Sequence, residues 1–210
     1  MSEEHFDIYD PSGAHIGTAP RSEVHREGHW HKSFHCWLVR DTPQGRRVLF
    51  QKRTSSKDTF PSCYDITAAG HLTAGETVRD AARELEEELG LRTEFEQLTH
   101  LFEVTEEMSG EISGVPFIDR EISNVYGCLS SWELTEYKLQ ASEVAGLYEA
   151  DLKQMLDMFL GGPSNITATG ILYHEEDGHY TKVTEPIRPG QFVARPYSYY
   201  VSAFQKLQQL

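Results

Sequence analysis

The chain has 210 residues, 39% of them hydrophobic and 11% aromatic, which is enough to bury a sizeable core and too apolar for global disorder. A formal charge of −14 leaves no basic footprint, which excludes nucleic acid and anionic membrane as general partners. Cys36, Cys63 and Cys128 are widely spaced and odd in number. They form neither a disulfide framework nor a zinc spacing and read as buried thiols in a reducing compartment. The start from Met1 to His5 has no basic region leading into an apolar run, and no stretch approaches the roughly 18 apolar residues of a membrane span, so a cytoplasmic location is expected.

In chain order, residues 5–18 read as a hairpin, with Phe6, Ile8 and Ile16 flanking the turn from Asp10 to Gly13. Phe34 to Val39 and Arg47 to Arg53 are strand-like around Asp41 to Gly45, and Tyr64 to Thr67 predicts a short strand leading to Gly70. The next element is a helix over 77–89. Thr77 and Asp80 make its capping pair, Gly90 suits a left-handed C-terminal cap, and Val78, Ala81, Ala82, Leu85 and Leu89 form an apolar stripe. Phe95 to Val104 and Ile122 to Leu129 are expected strands, separated by a loop over Ser109 to Pro116. Val144 to Tyr148 predicts a strand, and Ala150 to Leu160 a helix stopped by Gly161, Gly162 and Pro163. Ile166 to Tyr173 and Tyr180 to Val183 flank the turn Glu175 to Gly178, making a hairpin that is a candidate wall for a pocket. The tail from Tyr197 to Leu210 reads as a helix. Without repeats or linkers, residues 1–210 are expected to form one mixed α/β domain.

The chemistry concentrates between Gly70 and Leu91. Glu84, Glu87 and Glu88 are related by three and four positions, so a helix gathers them beside its apolar stripe. Two unit charges roughly 5 Å apart repel by about 3 kcal/mol at an effective dielectric of about 20. A divalent cation removes that cost, and all-oxygen ligation suits Mg²⁺ or Mn²⁺. The competing reading is a solvated, Glu-rich helix face.

The segment resembles the signature of the Nudix hydrolase superfamily: Gly, five residues, Glu, seven residues, then Arg-Glu-apolar-any-Glu-Glu-any-Gly-apolar. The chain matches from Gly70 to Glu76 and from Arg83 to Leu91, but only six residues separate Glu76 from Arg83. The shortening falls upstream of the acids, so Glu84, Glu87 and Glu88 carry over directly and Glu76 less so. Further landmarks are similar to the branch that contains type I isopentenyl-diphosphate isomerases: His25, the run from His31 to Trp37, Lys52 to Pro61, Ala68 to His71, and Asp119 to Glu121. Those isomerases place a Cys before the Gly-His pair, whereas this chain has Ala69, which has no ionisable group.

The resemblance implies a Nudix fold, with a mixed β-sheet sandwiched between helices and an added N-terminal hairpin. It also implies divalent-metal-dependent hydrolysis of a diphosphate linkage in a small molecule, such as a nucleoside diphosphate derivative. Expected metal ligands are Glu84, Glu87 and Glu88 with the Gly70 carbonyl, holding Mg²⁺ or Mn²⁺. Glu84, Glu88 and Glu121 are the expected catalytic carboxylates, and Arg53, Lys57, Arg83 and His71 the expected substrate contacts. His25, His31, His71, Asp119 and Glu121 correspond to the isomerase metal positions, although His25, His29 and His31 read by themselves as a solvated, His-rich connection. Trp30, Trp37 and Tyr173 could stack on a base or simply pack in the core. The alternatives are isopentenyl-diphosphate isomerisation, disfavoured by Ala69, and a non-catalytic diphosphate sensor, disfavoured by the full acid set. The partner is a small diphosphate, and the oligomeric state is open, a homodimer being allowed.

Overall fold

The structure is a computed structural model that describes residues 3–112, 114–174 and 178–210. Met1 and Ser2, Ser113 of the expected 109–116 loop, and residues 175–177 of the expected hairpin turn lie outside the described residues.

Strand β3 (Trp30–Thr42) is the spine of the sheet, because both of its faces are apolar. Phe34, Cys36 and Leu38 are fully buried on one side, and Trp37 and Val39 on the other. A strand covered on both faces reads as a continuous apolar run. Its first half runs antiparallel to β6 (Ala68–His71), with Ser33 opposite His71, and parallel to β8 (Val115–Leu129), with His31 opposite Glu121. Only from Val39 to Thr42 does it pair with β4 (Gly45–Arg53). The two strands therefore splay. The segment from Tyr64 to His71 fills the splay by pairing β5 (Tyr64–Asp65) with β4 and β6 with β3.

Among the described residues, the strands join into one mixed sheet of order β11-β10-β9-β4-β3-β1-β2, with β5 to β8 attached to that path. β1 (His5–Tyr9) and β2 (His15–Pro20) form the added N-terminal hairpin, and β7 (Thr99–Ile112) pairs with β8. β9 (Val144–Asp151), β10 (Ile166–His174) and β11 (His179–Ile187) complete the far edge.

Helices cover both faces. α3 (Leu152–Phe159) and α4 (Tyr197–Leu207) lie over Trp37, Val48 and Phe50, with Phe204 edge-on to Trp37 at 5.3 Å and Phe159 stacked on Tyr200 at 4.5 Å. On the opposite face, Ala81, Leu85 and Leu89 cover Phe34, Cys36, Leu38 and Leu49. A smaller cluster of Phe6, Ala19 and Val24 seats the N-terminal hairpin.

The acid-bearing helix departs from the expected single α-helix over 77–89. A 3₁₀ turn, Asp80–Arg83, feeds α2 (Glu84–Leu89), which Gly90 ends with φ 70°. Four 3₁₀ residues at about 2.0 Å rise cover about the length of five α-helical residues, so the tighter winding absorbs the short spacer before Arg83. Asp80 still accepts from the backbone N–H of Thr77 at 2.9 Å, as the capping pair requires.

Other differences have local causes. The sequence reading missed α1 (Arg21–Glu27), a seven-residue helix with only Val24 buried and hence no apolar period. The expected loop from Ser109 to Pro116 is mostly strand, because β7 and β8 extend as a ribbon with much of both faces exposed and show no apolar alternation. Phe95 to Gln97 is a 3₁₀ turn rather than strand, and the predicted strand from Tyr64 to Thr67 ends at Asp65. Cys36 and Cys128 are buried as expected, whereas Cys63 is half-buried; all three are free thiols.

Phe204→Ala should lower unfolding free energy by about 3–5 kcal/mol, the usual cost of emptying a large buried aromatic site. Urea denaturation measures it, and an unchanged midpoint would contradict the seating of α4 on Trp37.

Candidate active site

A cavity of about 760 Å³ opens where β3 and β4 splay. Gly70, His71, Arg83, Glu84, Glu87 and Glu88 line it from the β6 to α2 segment. Arg53 and Lys57 line it from the end of β4 and the loop that follows, and Glu121 from β8. All nine sequence-predicted site residues thus meet in one space.

The acid wall is built by α2. Arg83 organises it: Nε and Nη2 donate to the two oxygens of Glu76 at 3.0 and 3.2 Å, and Nη1 to Glu84 at 2.5 Å and Glu87 at 3.1 Å. Glu76 therefore reaches Arg83 despite the short spacer. A Cβ at position 70 would overlap the Glu84 side chain, so Gly70 leaves the room that this carboxylate occupies. Glu88 is buried and accepts from Gln51 Nε2 at 3.2 Å and the Ala69 N–H at 3.3 Å. Burial, and then the adjacent Glu84 charge, pushes the Glu88 carboxyl up to about 8. Burial raises Glu84 as well, against the pull of Arg83. Glu87 is half-exposed at the mouth.

The opposite wall is imidazole-rich, and it overturns the solvated reading of His25 and His31. One ligand atom each from His25 on α1, His31 on β3, His71 on β6 and Asp119 on β8 lies within 4.8 Å of the others. His25 Nε2 and His31 Nε2 sit 3.6 and 3.5 Å from Asp119 Oδ1. Those three atoms are buried with no hydrogen-bond partner among the described residues, an arrangement that suits a cation. His31 Nδ1 donates to the His29 carbonyl at 3.2 Å, which leaves Nε2 bare for a ligand. Burial, then the charge of His71, lowers His25 to about 4 and His31 to about 3, so both rings are neutral at pH 7. Burial and the neighbouring Glu121 raise Asp119. Burial would raise Glu121, but it is held well below the usual range by His35 at 3.7 Å and by the hydrogen-bonded His71 at 3.0 Å.

Basic residues form the third side. Arg53 donates to Asp65 at 3.1 Å and to the Thr59 carbonyl at 3.0 Å, Lys57 pairs with Glu143, and the half-buried Arg195 donates to the other Asp65 oxygen at 2.7 Å. Arg21 of α1 lies 3.5 Å from His71 Nδ1. Sequence reasoning missed Arg21, Gln51, Asp65 and Arg195. Only Gln51 left a signal, as a polar residue continuing the buried run Val48 to Phe50.

One expectation about the pocket fails, and the aromatic residues take the packing role that is the commoner reading of them. The β10–β11 hairpin lies at the far edge of the sheet and contributes nothing to the cavity among the described residues; the β7–β8 ribbon supplies that wall instead, with Phe102, Val104, Met108 and Phe117. Neither Trp30, Trp37 nor Tyr173 lines it. Trp37 is in the core, Trp30 lies beneath Arg120, and Tyr173 packs on Tyr180.

Comparison with known proteins gives the family and the fold. The NUDIX domain family model matches residues 29–148, and an uncharacterised Nudix hydrolase of Clostridium acetobutylicum is 34% identical over 200 residues, 95% of each chain. The chain belongs to the Nudix family and is a Nudix hydrolase. Nudix hydrolase 3 of Arabidopsis thaliana is 38% identical over 70% of this chain, which spans only 19% of that protein. An isopentenyl-diphosphate Delta-isomerase of Cutibacterium acnes is 41% identical over 40% of this chain and 42% of its own. Among solved structures, DR0079 of Deinococcus radiodurans shares the fold at a TM-score of 0.53 and 20% identity, covering 76% of this chain and 90% of its own.

Because the Glu88 carboxyl is raised in the folded state, metal-free folded protein binds a proton that the unfolded chain, with Glu near 4.3, does not. Its contribution to stability is full below that lower value and is lost as pH rises through about 8. Thermal melts in chelator at pH values above the roughly 6.5 of free histidine should fall in midpoint toward pH 8.5, and Glu88→Gln should flatten that slope. An equal slope in wild type and variant would contradict the buried, raised carboxyl.

Proposed function

We propose that the chain hydrolyses a diphosphate linkage in a small molecule, using divalent cations held by Glu84, Glu87, Glu88 and the Gly70 carbonyl. The carrying observation is the convergence of these acids, the partnerless His25, His31 and Asp119 atoms, and the basic residues Arg53 and Lys57 on one cavity. Carboxylate ligation suits Mg²⁺ or Mn²⁺, and the imidazole–carboxylate set suits Mn²⁺ or Zn²⁺. Bound there, such cations lower the pKa of water and neutralise charge developing on a phosphate bridge.

The chain's own residues take the remaining parts. Water attacks one phosphorus and the bridging P–O bond breaks, giving two phosphorylated fragments or orthophosphate. Burial favours the protonated form of Glu88 without metal, so it could accept the proton released only in the ionised form that a bound cation would favour. Glu121 offers a second carboxylate on the opposite wall, but one held ionised and hence a weaker base. Arg53 and Lys57, with Arg21, face the substrate phosphates, and His71 joins them at the mouth of the imidazole wall. The donors of Arg83 engage Glu76, Glu84 and Glu87, so it orients the acids and meets substrate only at its edge. The continuous sheet supports reading residues 1–210 as one domain. The partner on this reading is a small diphosphate; no described helix is long and apolar enough to cross a membrane.

The isomerase reading has one observation in its favour, the imidazole wall, and one against. Ala69 carries no acid or base, and no cysteine lines the cavity among the described residues.

Glu87→Gln should lower turnover by roughly 10²-fold or more, the scale on which losing an electrostatic stabiliser of the transition state acts. Its thermal midpoint should barely move, since Glu87 is half-exposed. Phosphate release from a panel of nucleotide-sugar, dinucleotide and isoprenoid diphosphates with Mg²⁺ or Mn²⁺ reads both substrate and variant. Unchanged turnover in the variant would remove Glu87 from the ligand set.

A further inference from the structure

His35 sits on β3 two residues beyond Ser33, is 2% exposed, and has no part in the diphosphate reading above. Its Nδ1 lies 3.0 Å from the hydroxyl of Tyr199 on α4, and its Nε2 points at Glu121 Oε2 from 3.7 Å. Together with Glu106, directly across the β7–β8 ladder from Glu121, it could be mistaken for a second ligand set, since one atom from each of the three residues lies within 4.8 Å of the others. Proton bookkeeping points to a different role for His35.

Trp37 Nε1 can only donate, and it donates to the Tyr199 oxygen at 3.3 Å. Among the described residues, His35 Nδ1 is the one acceptor within hydrogen-bond distance of the Tyr199 hydroxyl. Tyr199 therefore donates to Nδ1, and a neutral His35 carries its proton on Nε2, facing Glu121. In that tautomer Nε2 is a donor and offers no lone pair to a metal.

Glu121 then has its two oxygens in different surroundings. Oε2 faces Ser33 at 2.8 Å, Ser123 at 3.3 Å and the His35 Nε2–H, all of them donors. Oε1 is left to His71, whose Nε2 lies 3.0 Å away on the edge of the imidazole wall. At 3.7 Å the His35–Glu121 contact is longer than a formed hydrogen bond, and such contacts in unliganded sites often tighten when ligand binds.

We infer that Trp37, Tyr199 and His35 form a directional hydrogen-bond relay from α4 through β3 that fixes the His35 tautomer and turns one oxygen of Glu121 toward the His71 side of the cation site. His35 and Tyr199 are positioning residues and touch no substrate. The coupling to the cation rests on the reading of the imidazole wall as a metal site; the tautomer does not. The relay also explains why α4, outside the matched family segment 29–148, reaches into the cavity with Tyr199.

Two readouts on the full chain test it. In metal-free, ¹⁵N-histidine-labelled protein, His35, assigned by its loss in His35→Gln, should show a bare Nδ1 and a protonated Nε2. Tyr199→Phe should release that preference. Co²⁺ titration, followed by its visible bands, then reads the cation site. His35→Leu should weaken Co²⁺ binding by roughly 10–100-fold, the scale of losing a partner behind a metal ligand, whereas His35→Gln, whose amide N–H₂ can stand where Nε2–H does, should stay near wild type. A protonated Nδ1 in wild type, or His35→Leu binding Co²⁺ as tightly as wild type, overturns the relay. Wild type that binds no Co²⁺ overturns the cation reading and the coupling to it, while the tautomer readout still decides the Tyr199–His35 link by itself.

Discussion

Glu84 and Glu88 are carboxylates one helical turn apart in surroundings that exclude most water, and the site is organised around compensating them. Left bare, such a pair costs a few kcal/mol, and part of that cost shows in the raised Glu88 carboxyl. Arg83 neutralises what it can reach, with Glu76 holding the guanidinium from the far side. The remainder is available to a cation or a proton, which is the physical ground for the proposed metal site on these acids. This dependence ties details together that look separate: a glycine at 70 so that the Glu84 carboxylate fits, Gln51 pointing out of an otherwise apolar strand, and a 3₁₀ turn that restores the approach of Arg83 after a shortened spacer.

The second wall exists because β3 and β4 part after the pairing of Val39 with Val48. Once they splay, β6 can lie beside the first half of β3, and His71 comes level with Ser33 while Glu121 comes level with His31. Three imidazoles and two carboxylates from four elements then surround a space adjoining the acid helix. Both walls and the basic residues face the same cavity, so a diphosphate placed there would meet positive side chains on a chain that is strongly acidic overall.

The acid helix, the N-terminal hairpin, β3, β4 and the two last helices were legible because periodicity, caps and turn residues are local. The distal part of the β7–β8 ribbon, from Thr105 to Glu121, was not. Glu106, Glu107 and Glu111 give it the composition of a loop, and its backbone is held by pairing rather than by burial. α1 escaped because one buried residue makes no period. Within the site, Glu84, Glu87, Glu88 and Arg83 were readable since a helix places them by spacing alone. The imidazole set was not readable from the residues, because His25, His31, His71 and Asp119 meet only through strand register, and three histidines close together in a polar stretch look like a solvated connection. Arg195 and Tyr199 sit beside a Pro at the entry to α4, where nothing local distinguishes them from surface residues.

The central claim is that water, delivered in this cavity, cleaves a diphosphate. Turnover of the substrate panel in H₂¹⁸O with Mg²⁺ or Mn²⁺, followed by mass spectrometry of the products, tests it most directly. The account predicts one ¹⁸O atom per turnover in one of the two phosphorylated products, or in orthophosphate. Products free of ¹⁸O, or isopentenyl diphosphate converted to its isomer with solvent deuterium and no phosphate released, would contradict it.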